Sequence, residues 1–437
     1  MDKCDTKRME INMYREILND LAMWKDSDNR KPLILWGAKS VGKTWIAKDF
    51  GEGFFDNYVI LDLKKQEIQK YLLEDELNTD RLIKMLGIYG GCEIVKDKSF
   101  IILENIDMAE NKDELIDFFC NNMKDFHICI TTLSTEYYEK FQDKFDYLRL
   151  NPLSFNEFLR VNKEAVICKA IEENKDNPLS EDMLNKLKQY LVLYFFTGGM
   201  PEVVECWLEK HNIEAVKEKK NYIISEYMNF FNELDMEAFK DKVLQVFKSI
   251  GAQLLKDNKK FLYGVVKASA RAREYSDAVN YLVNNNFLCR INRIIEPKIP
   301  EDKYMDNKSF ELFMPDIGLL SGLFNYEPDD IIKGFMTNNS YMKALVEQFV
   351  FQELNYNPHI GRLYYWISDA TSKIEFLFED SGIIIPVEIN IFNNTKAQSI
   401  KVYRQKYKPP MIIRITDNRF SMKNGIMELP MFSIWNL

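Results

Sequence analysis

The fold of this chain is decided by the stretch Leu33-Ile34-Leu35-Trp36-Gly37-Ala38-Lys39-Ser40-Val41-Gly42-Lys43-Thr44. Its first four residues are apolar and predict a short buried strand of a parallel sheet. The next eight match the pattern G-x-x-x-x-G-K-[ST], in which glycines let the backbone wrap a phosphate group with its N–H groups pointing inward. The sequence therefore predicts a strand, a phosphate-binding loop and a helix, in that order.

The side chains of this loop match the tasks of binding a nucleoside triphosphate with magnesium. Lys43 supplies positive charge to the β- and γ-phosphate oxygens, and Thr44 offers its hydroxyl to Mg²⁺. The following helix presents its positive N-terminal end to the phosphates. We therefore predict ATP and Mg²⁺ as ligands. The predicted nucleotide contacts are Gly37, Ala38, Lys39, Ser40, Val41, Gly42, Lys43 and Thr44.

Further apolar runs of strand length follow the loop, with helical patterns between them. The predicted strands are residues 58–63, 99–103, 127–131 and 147–150, and the predicted helices include residues 11–24, 72–86 and 112–123. Strand–helix alternation over about 120 residues indicates a doubly wound parallel sheet. The predicted fold class is α/β, and the strand between the loop and the predicted acid-bearing strand is typical of AAA-type proteins.

The acids expected beside the phosphates are unusual. Glu104 ends an apolar strand and is predicted to orient the Mg²⁺ water shell, but the next residue, where a hydrolytic acid would stand, is Asn105. An amide cannot accept a proton as a general base. Asp107 is an alternative acid beyond the predicted strand end, and Thr131 or Thr132 is the predicted γ-phosphate sensor. The sequence thus predicts very slow hydrolysis, and a gain of at least roughly tenfold in Asn105→Glu.

After Pro152 the pattern changes, and the rest of the chain divides into three predicted parts. Helical periodicity in residues 152–240 indicates a helical lid on the P-loop domain of residues 1–151. Short helices followed by a β-rich piece in residues 241–330 indicate a winged helix, with residues 296–308 as a loop or wing. A helix and several strands in residues 331–437 indicate a further α/β domain.

Five short motifs, taken in order, make the chain similar to a large bacterial and archaeal family of AAA-type ATPases with a C-terminal domain of unknown function. They are the P-loop, Pro152-Leu153-Ser154-Phe155-Asn156-Glu157-Phe158, Gly198-Gly199-Met200-Pro201, Asp316-Ile317-Gly318-Leu319 and Leu345-Val346-Glu347-Gln348-Phe349-Val350. The resemblance implies that residues 331–437 have a restriction-endonuclease-like, PD-(D/E)XK fold.

The chain departs from the pattern of this family at residues that carry chemistry. The resemblance places a nuclease-like site at Glu347, Glu375 and Glu388, but Asn390 stands where the family has lysine. A nuclease of this fold needs acids to hold a metal and a lysine near the attacking water. The resemblance therefore implies a domain that is inactive as a nuclease. An arginine of the family, a candidate finger on a neighbour's nucleotide, is replaced by Lys144, which lacks the planar fork.

Charge and apolar patterning restrict the partners. The net charge of −9 argues against a protein that coats nucleic acid over its whole surface, although residues 255–275 and 395–410 are locally basic. The candidate nucleic-acid contacts are Lys267, Arg271, Arg273, Lys401 and Arg404. The alternative interpretation is a solvated face or a lid packing on the AAA core. No apolar run is long enough to span a bilayer and we see no signal peptide, so we predict a cytoplasmic protein.

Three functions are consistent with these patterns. The favoured one is a nucleotide-dependent switch with weak or no ATP hydrolysis, which engages an unknown partner through its C-terminal half. The second is a nucleic-acid-binding regulator or defence component in which ATP is structural. The third is a metal-dependent nuclease. A steep salt dependence of DNA binding would favour the second over a protein-partner switch.

Overall fold

The structure is a computed structural model that describes residues 13–65, 67–68, 78–109, 111–141, 143–173, 179–368, 372–391 and 397–437. These residues form two compact units. One comprises residues 15–151 and 280–287, and we call it the P-loop unit. The other comprises residues 152–279 and 288–437 together with Met13 and Tyr14, and we call it the C-terminal unit.

The P-loop unit is built on a five-stranded parallel sheet. Its strands are β1 Leu33–Trp36, β2 Asn57–Asp62, β3 Ser99–Glu104, β4 His127–Thr132 and β5 Asp146–Arg149, in the order β2-β3-β4-β1-β5. The parallel pairing confirms the predicted fold class. Because the carboxyl ends of parallel strands share one edge, the residues after β1, β3 and β4 meet there.

Helices cover this sheet and complete its core. They are α1 Ile17–Lys25, α2 Lys43–Phe54, α3 Thr79–Gly90, α4 Lys112–Asn122 and α5 Glu136–Phe141. Residues 11–12 and 72–77 of the predicted helices lie outside the described residues. The Asn78 side chain accepts hydrogen bonds from the backbone N–H groups of Asp80 and Arg81 and so begins α3. Apolar side chains such as Leu103 and Ile130, at most 1% exposed, fill the core between the sheet and these helices.

The C-terminal unit contains most of the helices. They are α6 Phe155–Val161, α7 Ala165–Glu172, α8 Glu181–Thr197, α9 Pro201–Lys210, α10 Ile213–Asn232, α11 Glu237–Leu254, α12 Tyr263–Val266, α13 Ala272–Asn284, α14 Ile317–Leu323, α15 Pro328–Thr337, α16 Ser340–Tyr356 and α17 Ala397–Tyr407. The end of α13 is grouped with the P-loop unit. In the described part of the chain, no helix is long and apolar enough to cross a membrane.

A mixed eight-stranded sheet forms the other layer of the C-terminal unit. Its strands are β6 Cys289–Ile294, β7 Met305–Phe313, β8 Tyr364–Ile367, β9 Lys373–Asp380, β10 Ile383–Ile389, β11 Ile412–Thr416, β12 Ser421–Lys423 and β13 Ile426–Pro430. The order is β12-β13-β11-β10-β9-β8-β6-β7. The β6–β7 hairpin, whose connecting residues 296–308 were predicted as a loop or wing, joins this sheet through parallel pairing of β6 with β8. The loop between β6 and β7 is shorter than the predicted one, residues 296–308, because β7 already begins at Met305. The domain boundaries themselves stay a prediction.

The family motifs outside the P-loop meet in one buried network of the C-terminal unit. The backbone N–H of Gly199 donates to Asp316 at 2.7 Å, and its C=O accepts from Leu153 N–H at 2.7 Å. A side chain at Gly199 would lie 2.1 Å from the Leu153 oxygen, so only glycine fits there. The backbone N–H of Phe155 donates to Glu353 at 3.1 Å. These bonds therefore connect the segments that precede α6, α9 and α14 with one another and with α16.

Candidate nucleotide site

The loop after β1 has a backbone that requires glycine at two positions. Gly37 has φ 156°, and a Cβ there would lie 2.1 Å from the backbone oxygen of Leu150. Gly42 has φ 89° and ψ 26°, a left-handed conformation, and immediately precedes α2. Ser40 also has a positive φ, 67°. The strand, loop and helix thus follow in the predicted order, and α2 begins with its N-terminal end at the loop.

Lys43 is held over the loop by the loop's own carbonyl groups. Its Nζ donates to the backbone oxygens of Gly37 and Ala38, each at 2.9 Å. Burial lowers the pKa of Lys43 to about 7, while the carboxylates of Asp107 and Glu104 act in the opposite direction. The ammonium group and the two acids therefore lie near one another at the edge of the sheet.

The two acids have different surroundings. Glu104 ends β3, and its Oε1 is buried without a hydrogen-bond partner among the described residues. Asp107 lies in a short 3₁₀ turn, Ile106–Met108. Its carboxylate accepts from the Thr132 hydroxyl at 2.7 Å and from the backbone N–H of Leu133 at 3.3 Å. Glu104 therefore retains an acceptor for a ligand, whereas Asp107 is held in place by the end of β4.

Asn105, the residue predicted to occupy the hydrolytic position, turns its side chain to the neighbouring strand. Its Nδ2 donates to Asp62 Oδ1 at 2.7 Å, and its backbone is left-handed with φ 56° and ψ 40°. Asparagine tolerates this conformation better than glutamate does. A glutamate would also lose the bond and bring a second carboxylate to Asp62. Asn105 and Asp107 were the two candidate positions for the catalytic acid, and the carboxylate of Asp107 is the one that raises the pKa of Lys43. The turn that places Asp107 there cannot be recognised from the spacing of residues in the sequence.

The two predicted sensor threonines are both buried at the end of β4, but they point to opposite faces of the sheet. Thr132 pairs with Trp36 at the end of β1, and its hydroxyl donates to Asp107 while accepting from Ser134 N–H at 2.9 Å. Thr131 pairs with Leu35, one residue farther from the strand end. Thr132 is therefore the threonine that the structure brings to the site.

These residues fit a nucleotide with magnesium. Mg²⁺ is usually bound through one or two oxygen side chains, with phosphates and water completing its octahedron. Thr44 is an exposed residue in the first turn of α2, and Glu104 Oε1 is a buried acceptor with no partner in the described structure. The loop N–H groups and Lys43 suit the phosphates. The residues present are therefore compatible with a triphosphate and Mg²⁺.

Lys144, at the position of the family's candidate arginine finger, is bonded to an acid of its own domain. Lys144 Nζ is 2.5 Å from Asp117 on α4, and this bond raises the pKa of Lys144. At the carboxyl edge of the sheet lies Arg149, which ends β5 and whose guanidinium is 5.1 Å from the centre of the Trp36 ring. Sequence reasoning missed Arg149, because only the parallel pairing of β5 with β1 brings it beside Trp36.

Glu347, the first acid of the predicted nuclease-like site, belongs to a buried ion network. Lys373 Nζ lies 3.0 Å from Glu347 and 2.8 Å from Glu311, and Lys259 also pairs with Glu347. Burial by itself would raise the pKa of Glu347, but the two ammonium groups outweigh it and lower the pKa to about 2. Two lysines and two glutamates thus neutralise one another and connect α16 to β7 and β9.

Glu375 and Glu388, the other two acids of the predicted nuclease-like site, also accept hydrogen bonds within the protein. Glu388 accepts from Arg414 Nε at 2.9 Å, and Glu375 accepts from the backbone N–H of Ile389 at 3.4 Å. Within the described ranges, no group of three or more histidine, cysteine, aspartate or glutamate side chains is placed to hold a metal ion. Glu347 and Glu388 are therefore paired with cations, whereas Glu375 accepts a backbone hydrogen bond.

The basic runs are only partly on the surface. Lys267, Arg271 and Arg273 are exposed around the start of α13, whereas Lys259 of the same run is buried in the ion network. Helix α13, Ala272–Asn284, begins among these exposed cations. On α17, Lys401 and Arg404 are exposed, and Arg404 donates to the backbone oxygen of Asn424 at 3.1 Å.

Three family models match separate parts of the chain. Residues 29–159 match an AAA domain, residues 188–330 match the Domain of unknown function (DUF8612), and residues 342–434 match the Domain of unknown function (DUF4143). The chain thus carries an AAA-type ATPase-like domain, which supports nucleotide binding, and a C-terminal domain of unknown function. Both features were implied by the resemblance.

Solved structures include distant neighbours. The Walker-type ATPase PABY2304 of Pyrococcus abyssi is 11% identical with a TM-score of 0.44, over 71% of this chain and 96% of that one. PCH-2 of C. elegans is 13% identical with a TM-score of 0.30, over 49% of this chain and 71% of that one. Among curated proteins, none matches the chain.

Proposed function

We propose that the chain is a nucleotide-dependent switch that binds ATP with Mg²⁺ at the P-loop, hydrolyses it slowly, and engages a partner through its C-terminal unit. The observation that carries this proposal is the arrangement at the end of the parallel sheet. Lys43 lies there beside Glu104, which has a buried acceptor, and Asp107, which is held by Thr132. Such a set of residues suits a triphosphate and its metal.

Each residue has a separate duty in this proposal. The loop N–H groups and Lys43 bind the phosphates, and Thr44 and Glu104 hold the metal and its water shell. Mg²⁺, when bound, neutralises phosphate charge and orients the triphosphate. Asp107 orients the attacking water. The Thr132 hydroxyl and Leu133 N–H donate to Asp107 and hold its carboxylate in place. Hydrolysis is expected to be slow, because the position directly after Glu104 holds Asn105, which cannot accept a proton.

A second candidate function rests on the exposed cations at the start of α13. Helices α11, α12 and α13 followed by the β6–β7 hairpin have the element order of a winged helix, and Lys267, Arg271 and Arg273 lie where such a module contacts phosphate or bases. We propose DNA as the ligand of this surface. Binding that weakens steeply with salt and is reduced in Arg271→Ala would support it, and salt-independent or undetectable binding would remove it.

Nucleotide binding is expected to take up a proton at pH 8. The pKa of Lys43 is about 7 before binding, so most Lys43 side chains are neutral at pH 8. Phosphate oxygens favour the ammonium form, and the pKa then rises towards its ordinary value. Binding should take up close to one proton at pH 8 and close to none at pH 6. Calorimetry in two buffers of different ionisation enthalpy measures this number.

The control for this prediction is Lys43→Arg, because arginine stays charged at both pH values. If the variant binds ATP, its proton uptake at pH 8 should be nearly zero. Equal uptake in the variant and the unmodified protein would assign the proton to another group.

The C-terminal unit is expected not to cleave DNA or RNA with Mg²⁺ or Mn²⁺. We propose that its restriction-endonuclease-like site is degenerate, because Asn390 replaces the lysine and Glu347 and Glu388 are paired with cations. Incubation with labelled DNA and RNA tests this. Metal-dependent cleavage that disappears in Glu388→Ala would overturn the prediction. Cleavage gained in Asn390→Lys would support the degenerate-site account.

A further inference from the structure

The end of α13 and the turn after it belong to the P-loop unit, although the rest of α13 does not. The backbone oxygen of Asn284, the last residue of α13, accepts from the Thr135 N–H at 2.8 Å and from the Thr135 hydroxyl at 3.3 Å. The Asn284 amide donates to Glu136 at 3.2 Å. The helix end is therefore bonded to the loop that follows β4.

Asn286 makes the most direct bond to this loop. It is 7% exposed, its backbone is left-handed with φ 56°, and its Nδ2 donates to the backbone oxygen of Leu133 at 2.6 Å. The N–H of Leu133 donates in turn to Asp107. A single residue, Leu133, thus joins the acid beside the P-loop to Asn286 through its two backbone groups.

Tyr281, on the same segment, is also influenced by Asp107. Burial raises the pKa of its phenol to about 12, and the carboxylate of Asp107 adds to the rise. Tyr281 therefore lies within the influence of the Asp107 charge, and Asn286 is connected to Asp107 through Leu133.

We propose that Asn286 is a positioning residue that couples the nucleotide site to α13. This inference rests on the proposed function. If nucleotide binding moves Asp107 and Thr132, the hydrogen bonds of Leu133 must change as well. The reason is that the N–H of Leu133 is bonded to Asp107 and its C=O to Asn286. The Asn286–Leu133 bond passes this change to the helix end, and a continuous helix transmits a displacement along its length. Nucleotide occupancy is thereby communicated to the part of α13 that carries Arg273.

The test is hydrogen exchange of peptides covering residues 272–286 in the full chain, with and without ATP and Mg²⁺. In the unmodified protein, nucleotide should change exchange in this segment. In Asn286→Gly, which keeps the left-handed backbone and removes the amide, the change should fall at least severalfold although ATP still raises the melting temperature. Asn285→Ala is the matched control, because the Asn285 amide donates back to the backbone oxygen of Tyr281 on α13. Its response should equal that of the unmodified protein.

Several outcomes would overturn the coupling. ATP that raises the melting temperature but leaves exchange in residues 272–286 unchanged would do so, as would an Asn286→Gly variant with the full response. If Asn286→Gly does not fold, Asn284→Ala, which removes the bond to Glu136, is measured instead, and a full response there contradicts the coupling. If ATP changes neither the melting temperature nor exchange at residues 37–44, the proposed function has failed rather than the coupling.

Discussion

Lys43→Ala is expected to remove most of the rise in melting temperature that ATP and Mg²⁺ produce in the unmodified protein. A ligand that binds only the folded state stabilises it by RT ln(1 + [L]/Kd), which is about 4 kcal/mol at a thousandfold excess over Kd. Lys43 is the cation that the loop carbonyls of Gly37 and Ala38 hold in place, so its loss removes the main attraction for the β- and γ-phosphates. Thermal melts over a series of ATP concentrations measure the effect.

Lys48→Ala is the matched control for this variant. Lys48 lies on the same helix, α2, but its ammonium is exposed and 3.7 Å from Glu52. The ATP-dependent rise in the control should equal that of the unmodified protein. An undiminished rise in Lys43→Ala would mean that nucleotide binds somewhere other than at the P-loop.

Asp107→Asn is expected to lower the residual rate of ATP hydrolysis by about a hundredfold while ATP binding persists. Loss of a general base typically costs roughly 10² to 10⁴ in rate. The substitution preserves the size of the side chain, and the amide oxygen can still accept from the Thr132 hydroxyl. Single-turnover hydrolysis at saturating protein measures the rate, and the rise in melting temperature measures binding separately.

The companion variant, Asn105→Glu, separates the two positions for the acid. The residue order alone predicts a gain of roughly tenfold or more. The structure favours a smaller change, because Asn105 is bonded to Asp62 and has a left-handed backbone. A rate that rises at least tenfold in Asn105→Glu and stays unchanged in Asp107→Asn would restore Asn105 as the position that limits hydrolysis.

The sequence by itself determined the phosphate loop and the parallel sheet around it. Gly37, Gly42 and Lys43 are recognisable because the backbone shape and charge that a phosphate needs depend on residues within one turn of chain. The five strands of this sheet were predicted to within one residue at each end, since a buried parallel strand is a local apolar run. The motifs from Pro152 to Val350 identified the family pattern, but their order gave no indication that they form one buried packing network.

Tertiary structure alone decided which side chains meet. Asp107 rather than Asn105 lies beside Lys43 because a left-handed residue turns the chain after β3, and Thr132, from the next strand, holds the carboxylate. The bond between Asn286 and Leu133 joins residues 153 positions apart. Similarly, Glu347 is paired with Lys259 and Lys373 only because α16 packs against distant elements. Local patterns fix backbone conformation, whereas the partners of a buried charge or amide depend on which distant segments the packed core brings into contact.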